Sequence, residues 1–284
     1  MVELTWEGKY DEHGKRAAPL RVQLPFQTVE TVNESAQQRQ MALDMFSAGR
    51  PSEWRNRLIW GDKKYVLPAL LDEFAGQVDL IYIDPPFATG ADFSFQIEVE
   101  DERFIKEASI IEQKAYRDTW GHGLDSYLQW FYETIVVLYE LSSESGVIFV
   151  HLDEHVGHYA KVVLDQVFGQ NAFKNDIIWH YPDNFQGNVN RFANNHNMIL
   201  VYAKNPQTKL KRVKIPLGKT VKRDVRVWDK KLKKIVAARD ENGNIVYKEF
   251  DTKFADDVWT IGQSSVTKRK SREFLGYPTQ LDFG

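Results

Sequence analysis

Val78-Asp-Leu-Ile-Tyr-Ile-Asp-Pro-Pro-Phe-Ala-Thr-Gly90 is the stretch from which the rest of the chain is best read. Val78 to Ile83 is a short β-branched and apolar run, the pattern of a strand buried in a parallel sheet. The run breaks at Asp84-Pro85-Pro86-Phe87, because each proline fixes φ and lacks an N–H and so cannot continue a ladder. An acid, a rigid turn and an aromatic ring therefore stand at the carboxyl end of a strand. That is where open α/β sheets place their ligands.

Such a group suits methyl transfer to an exocyclic amine. The amino nitrogen of adenine spreads its lone pair into the ring and is a poor nucleophile. The Asp84 carboxylate can accept one N–H, and the Pro85 carbonyl, held by the rigid turn, can accept the other. Both bonds favour a pyramidal nitrogen with its lone pair aimed at an incoming methyl group, so they strengthen toward the transition state. Phe87 would stack on a base taken out of the duplex. A plain Pro-Pro turn with Phe87 in the core is the competing reading of these four residues.

The 284 residues, 43% of them hydrophobic, suffice for one large domain plus an insertion. No apolar run reaches the length of a membrane helix, and the N-terminus has no signal-peptide pattern, so no membrane is expected as a partner. The sequence has no cysteine, which fits a cytoplasmic protein. It also excludes Cys-type zinc sites and every thiolate nucleophile, including the one that methylation at C5 of cytosine uses.

Around the central stretch, Ser35 to Ala48 reads as a helix capped by Ser35 and stopped by Gly49-Arg50-Pro51. Leu58-Ile59-Trp60 reads as a short strand ending at Gly61-Asp62, followed by a helix from Tyr65 to Phe74 closed by Gly76. Strand, helix and the Val78 strand then form a right-handed crossover. Asp62 either lies at a strand end beside Asp84 or caps the helix, and spacing alone favours the cap. Ala88 to Tyr116 reads as a loop overhanging the site, with the acidic tract Glu98 to Glu102 ahead of a helix.

Tyr127, Leu128, Phe131, Ile135, Leu138 and Tyr139 recur at helical spacing, with Asp125 or Ser126 as cap. Val147 to Val150 is a further buried strand with His151-Leu152-Asp153 at its end, and Glu154 to Phe168 is helical. Asp176 to His180 and Met198 to Ala203 are strands. The Asn- and aromatic-rich loop between them, Tyr181 to His196, suits base-edge donors and stacking rings, or an ordinary polar surface. His151, His155 and His158, with Asp153 and Glu154, match no metal spacing; polar caps and solvated imidazoles are expected there, and no metal.

Composition then shifts. Lys204 to Lys234 holds thirteen basic residues against Asp224 and Asp229, a net of +11, which leaves −14 for the remainder of a chain with formal charge −3. A charge run is usually a solvated face. Concentrated beside an acidic body, this one reads as a polyanion-binding surface. Val213, Ile215, Val221, Val225, Val227 and Ile235 interleave with the charges, as in strands, and Asn242-Gly243-Asn244 marks a hairpin turn. The residues expected on DNA are Lys211, Arg212, Lys214, Lys222, Arg223, Arg226, Lys230, Lys231, Lys233 and Lys234. Lys268-Arg-Lys-Ser-Arg272 is a second basic cluster.

Six stretches in order carry a family resemblance: Ile59-Trp-Gly-Asp62, Asp79 to Phe93, Gly146 to Asp153, Asp176-Ile-Ile-Trp179, His196 to Lys204 and Gly276-Tyr-Pro-Thr-Gln280. Together they resemble the beta-class amino-methyltransferases of DNA, including the modification subunits of type III restriction systems. The resemblance implies an incomplete α/β fold: a Rossmann-like, doubly wound, mostly parallel sheet with an inserted β-rich basic target-recognition module. It implies an N-terminal extension (1–53), a catalytic core (54–204), the recognition module (205–262) and the start of a cofactor-binding half (263–284). Asp84, Pro85, Pro86 and Phe87 match the catalytic motif, and Asp62 matches the acid that contacts the adenosine of S-adenosylmethionine.

The expected activity is methylation of adenine N6 in double-stranded DNA within a restriction-modification system, with a restriction subunit or a second copy as partner. Asp at the head of the motif favours adenine N6 over cytosine N4. The alternatives are a cytosine-N4 enzyme or a catalytically silent DNA-binding fragment. Methylation of RNA or protein amides ranks last, since relatives acting on glutamine carry Asn where this chain has Asp84. One departure stands out: no Phe-x-Gly-x-Gly occurs in the chain, and Pro278-Thr-Gln280 is followed only by Leu281-Asp-Phe-Gly284. The chain is therefore expected to be truncated before the cofactor motif and, alone, to bind the cofactor weakly and leave DNA unmethylated.

Overall fold

The computed structural model describes residues 3–29, 56–87, 95–99, 102–106, 123–182, 190 and 192–260. The expected helix over Ser35–Ala48, the Pro278-Thr-Gln280 element and the segment 263–284 lie outside the described residues, as does most of the Tyr181–His196 loop. The element order is α1 (Lys63–Phe74), β1 (Val78–Ile83), β2 (Phe95–Val99), β3 (Glu102–Lys106), α2 (Leu124–Leu141), β4 (Ser142–Leu152) and α3 (Gly157–Phe168), then β5 (Phe173–His180) and β6 (His196–Ala203). β7 (Lys214–Asp224), β8 (Arg226–Asp229), β9 (Lys234–Ala237), β10 (Tyr247–Phe254) and β11 (Val258–Thr260) follow.

Five strands make the main sheet, in the order β1-β4-β6-β5-β11. β1 pairs with β4, and β11 with β5, in parallel; β6 lies antiparallel to both β4 and β5. Four strands thus share one direction and β6 runs against them. Side chains alternate across such a sheet. Ile148, Val150, Leu152, Leu200 and Tyr202 point to one face, where they are 0–2% exposed. α2 explains that burial: Tyr127, Leu128, Phe131, Ile135 and Leu138 form a helical stripe that packs with α1 and α3 into one core with these strands. Each such side chain contributes roughly 1.5–3 kcal/mol by leaving water.

The opposite face carries Val147, Phe149, Ile177, Ile199 and Val201 as a second, smaller cluster. On β1 the same alternation leaves Leu80 65% and Tyr82 44% exposed. Gly146 has a steric reason to be glycine, since a Cβ there would stand 2.9 Å from the carbonyl oxygens of Ser143 and Val78. Gly157 has another: a Cβ would run into the Met198 thioether.

Four local expectations are corrected. Leu58-Ile59-Trp60 forms no strand; Leu58 and Trp60 are largely exposed and no ladder engages them, so the crossover lacks its first strand among the described residues. The stretch expected as a loop contains an antiparallel hairpin, β2 with β3, where Glu98 pairs with Arg103. α2 is capped by Gly123, at φ +63°, not by Asp125 or Ser126; Ser126 Oγ donates instead to the Gly123 carbonyl at 3.0 Å. α3 begins at Gly157, because Asp153 to Val156 are spent on the turn out of β4.

Residues 3–17 dock on the helices. Trp6 Nε1 donates to Gln129 Oε1 at 2.9 Å, and Lys9, fully buried, donates to Glu3 Oε1 at 2.7 Å and Gln166 Oε1 at 3.0 Å. Nothing in the sequence pattern marks this strap.

The basic segment is β-rich. β7 and β10 form one antiparallel ribbon, β8 and β9 another, and Gly243 at φ +82° sits in the Asn242-Gly243-Asn244 turn. No residue from 204 to 257 is buried, so the ribbons have no core of their own. The chain leaves the sheet after β6 and is back in it by Val258, four residues before the expected boundary at 262.

Candidate active site

Because β1 and β4 are parallel with Ile83 opposite Val150, the next residues, Asp84 and His151, emerge side by side at the carboxyl ends of both strands. The Pro-Pro turn ends β1 there. Pro85 is buried, Pro86 exposed, and Phe87 half-buried against the main core. The Asp84 side chain is 41% exposed and His151 fully buried, with His151 Nδ1 3.2 Å from Asp84 Oδ1. That contact lacks the alignment of a full hydrogen bond.

The imidazole is held on every other side. Phe87 meets it edge-on at 5.6 Å between ring centroids, and Trp179 of β5 packs on it at 5.4 Å. Asn197 Nδ2 donates to His151 Nε2 at 2.9 Å, and Asn197 Oδ1 accepts from the Tyr181 hydroxyl at 3.1 Å. Burial, reinforced by Asp84's charge, pushes the Tyr82 phenol up to about 12. Burial, with Glu154 and Asp153 adding to it, raises the Tyr181 phenol as well.

His151 corrects the expectation of solvated imidazoles at this turn. The strand runs on through Leu152, so the alternation of Val147 and Phe149 carries His151 onto the same sheet face. Continuing that alternation two residues further would have found it. His155 and His158 are exposed as expected; His155, half exposed, has Nδ1 2.6 Å from Asp153 Oδ2 while its backbone N–H donates to Asp153 Oδ1 at 3.0 Å. Asp153, Glu154 and His155 each present one ligand-type atom within 4.8 Å of the others. Burial raises the Asp153 carboxyl, against the lowering effect of His155.

Asp62 is the N-cap of α1: Oδ1 accepts from Lys64 N at 2.8 Å. It stands on the rim of a cavity of about 480 Å³ lined by Glu7, Lys63, Asp125, Gln129 and Trp130 among others. Lys63 reaches in, donating to the Trp130 carbonyl at 2.9 Å and to Thr134 Oγ1, with its ammonium 4.2 Å from the Trp130 ring centre. Burial pushes its amine down to about 8.

All ten basic residues expected on DNA are exposed. Lys214, Lys222 and Arg223 lie on β7, with Lys211 and Arg212 just before it; Arg212 covers the Phe254 ring at 3.7 Å. Arg226 opens β8 and pairs with Asp224 at 3.0 Å. Lys230, Lys231 and Lys233 form the β8–β9 turn and Lys234 starts β9; Asp229 Oδ1 folds the turn by accepting from Lys231 N at 2.8 Å and Leu232 N at 3.0 Å. The turn also displays Leu232, Trp228 and Ile235, each about 60% exposed.

The α/β sheet carries the Asp-Pro-Pro-Phe turn at the carboxyl end of β1, and the basic ribbons leave and rejoin it between β6 and β11. The sequence profile of the DNA methylase family matches residues 78–282, and the chain belongs to that family. It is 32% identical over 162 residues to the Mod subunit of the type III restriction-modification enzyme EcoP15I of Escherichia coli, covering 53% of this chain and 24% of that protein. It is 32% identical over 168 residues to the EcoPI Mod subunit of Escherichia phage P1, covering 53% and 25%. It is 30% identical over 149 residues to the type II methyltransferase M.EcaI of Enterobacter cloacae, covering 52% and 29%. The match thus spans roughly a quarter of each relative.

Proposed function

We propose that this chain supplies the base-activating and DNA-reading parts of a methyltransferase acting on adenine N6 in duplex DNA. The methyl donor is S-adenosylmethionine, and the setting is a cytoplasmic restriction-modification system with a restriction subunit or a second copy as partner. The observation that carries the reading is the Asp84 turn: an open carboxylate beside a buried proline at the end of β1.

Asp84 accepts one N–H of the amine, the Pro85 carbonyl accepts the other, Pro86 stiffens the turn and Phe87 offers a ring face to the flipped base. The donor supplies an electrophilic methyl group on a sulfonium. With that donor bound, an amine taking the methyl group in exchange for the sulfonium's C–S bond would shed a proton, and the solvent-open Asp84 carboxylate would be its first acceptor.

Asp62 keeps one carboxylate oxygen after capping α1, and the cavity at its side has an indole wall. An acid and a flat aromatic surface suit the amine and ring of an adenosine, so these residues fit that end of the donor. The bare sheet face at Leu80 and Tyr82 supports the fuller reading of a Rossmann-like, doubly wound sheet whose second face a cofactor half would cover. The ten exposed basic residues take the phosphates.

The test uses the product of the complete reading frame, labelled S-adenosylmethionine and unmethylated DNA, with the modified nucleoside identified. N6-methyladenine is expected, and Asp84→Ala should abolish transfer while DNA affinity stays within a few-fold. Near-normal turnover by Asp84→Ala would remove the carboxylate's role, and N4-methylcytosine as product would overturn the choice of base.

A further inference from the structure

His151 is a buried imidazole that the mechanism above does not use. Its surroundings fix both its rotation and its proton. Asn197 Nδ2 carries only hydrogens toward His151 Nε2, because Asn197 Oδ1 is turned to the Tyr181 hydroxyl. Nε2 must therefore accept, and the ring proton sits on Nδ1. Nδ1 faces Asp84 Oδ1 at 3.2 Å and has no other polar partner among the described residues. Phe87 and Trp179 both pack against the ring, and their contact resists its turning away.

We propose that His151 is a positioning residue for Asp84: its Nδ1–H, set by Asn197, holds Oδ1 of the carboxylate and leaves Oδ2 for the substrate amine. The proposal rests on the methyltransfer reading. Asp84 needs such a partner. It follows the end of the outermost strand among the described residues and is 41% exposed, so on its own its side chain would distribute over several staggered rotamers. An acceptor that must meet one N–H of a flipped base gains from being held before the base arrives. The loose alignment is what such contacts show without substrate, and a small rotation of the Asp84 carboxylate into line with the N–H completes the bond.

The order of the parts follows from the fold. Asp84 comes from the end of β1, His151 from β4, Asn197 from β6 and Trp179 from β5, four neighbouring strands of one sheet. The Asp-Pro-Pro-Phe turn contributes both ends of the device, the carboxylate that is held and the Phe87 ring that helps hold the holder.

Two measurements test it. Nitrogen NMR on the chain labelled in its seven histidines, with His151 assigned by the signals lost in His151→Asn, reads the tautomer directly. Nδ1 should be protonated and Nε2 not. Asp84→Ala should move the Nδ1 signal and leave Nε2 in place, and Asn197→Leu should admit the other tautomer. A proton on Nε2, or an Nδ1 signal indifferent to Asp84→Ala, overturns the proposal.

The kinetic arm uses methyl transfer by the product of the complete reading frame. His151→Leu should lower kcat about tenfold or more, the loss of one hydrogen bond to a charged group, with KM for DNA within about twofold. His151→Asn, whose side-chain N–H stands near the place of Nδ1–H, should recover most of that. Equal kcat in parent and His151→Leu, or an Asn variant as poor as Leu, counts against it. If the parent transfers no methyl group, the function reading falls, and the spectrum alone decides the contact.

Discussion

The Tyr202 hydroxyl donates to Asp165 Oδ1 at 2.7 Å, tying the carboxyl end of β6 to α3 through the main core. Tyr202 has no exposed surface, and burial together with Asp165 pushes its phenol well above the ordinary range. Lys161 completes the arrangement by donating to both Asp165 oxygens at 2.8 Å. Tyr202→Phe keeps the packing and removes one hydrogen bond to a charged acceptor. A loss of about 1.5 kcal/mol in urea unfolding is expected, and an unchanged midpoint would show that Lys161 satisfies Asp165 without it.

Lys63 gives stability a dependence on alkaline pH. Its amine titrates at about 8 in the folded chain, against 10.5 for an unperturbed lysine. Between those values the unfolded chain binds the extra proton, so this group makes stability rise as pH goes from 8 to 10.5. Below 8 the cost of burying the charge is fully present. Lys63→Met should flatten that rise, as read from unfolding midpoints across the window. A slope that survives the substitution would point to another group.

The ribbon module should bind duplex DNA through phosphates. Affinity is expected to fall steeply with salt, and replacing Lys230, Lys231, Lys233 and Lys234 by Gln should reduce the log–log slope by about 0.9 for each lysine that touches a phosphate. The fall should be similar for unrelated DNA sequences. Binding that ignores salt, or is absent at low salt, would sink the assignment.

Leu80 should govern self-association. β1 is the outermost strand among the described residues, and Leu80 is 65% exposed on it. Exposed apolar strand edges template pairing between molecules. Leu80→Lys should lower light scattering of the concentrated chain while leaving its unfolding midpoint nearly unchanged. Ile81→Lys, on the buried face, should instead destabilise by several kcal/mol. Scattering that is indifferent to Leu80→Lys would place the sticky surface elsewhere.

What the sequence revealed was what short-range rules govern. The β1 run, the Pro-Pro break, the stripe on α2 and the Asn-Gly turn near residue 243 are each decided within a few residues, and each is found in the structure, except that β1 is buried only at Ile81 and not along its length as expected. Leu58-Ile59-Trp60 misled because an apolar triplet becomes a strand only where a neighbouring edge takes its hydrogen bonds. The strap at Trp6 and Lys9 was invisible since its partners, Gln129 and Gln166, are more than a hundred residues away. His151 lay between: its residue type was noticed, but its burial depends on Asn197 and Trp179, which reach it only across the sheet.

β6 releases the chain at Ala203 and β11 takes it up at Val258, with β5 between them and Val258 level with Met198, so the two seams are offset by about two strand spacings, roughly 10 Å, across the sheet and by five residues, roughly 17 Å, along it. At the seams, Lys204 N bonds to the Gly146 carbonyl at 2.9 Å and Ile178 N to the Asp257 carbonyl at 2.7 Å. Residues 205–256 lend the main sheet no strand. Recombination between genes could therefore exchange this cassette for another of similar end separation without disturbing Asp84, His151 or Asn197.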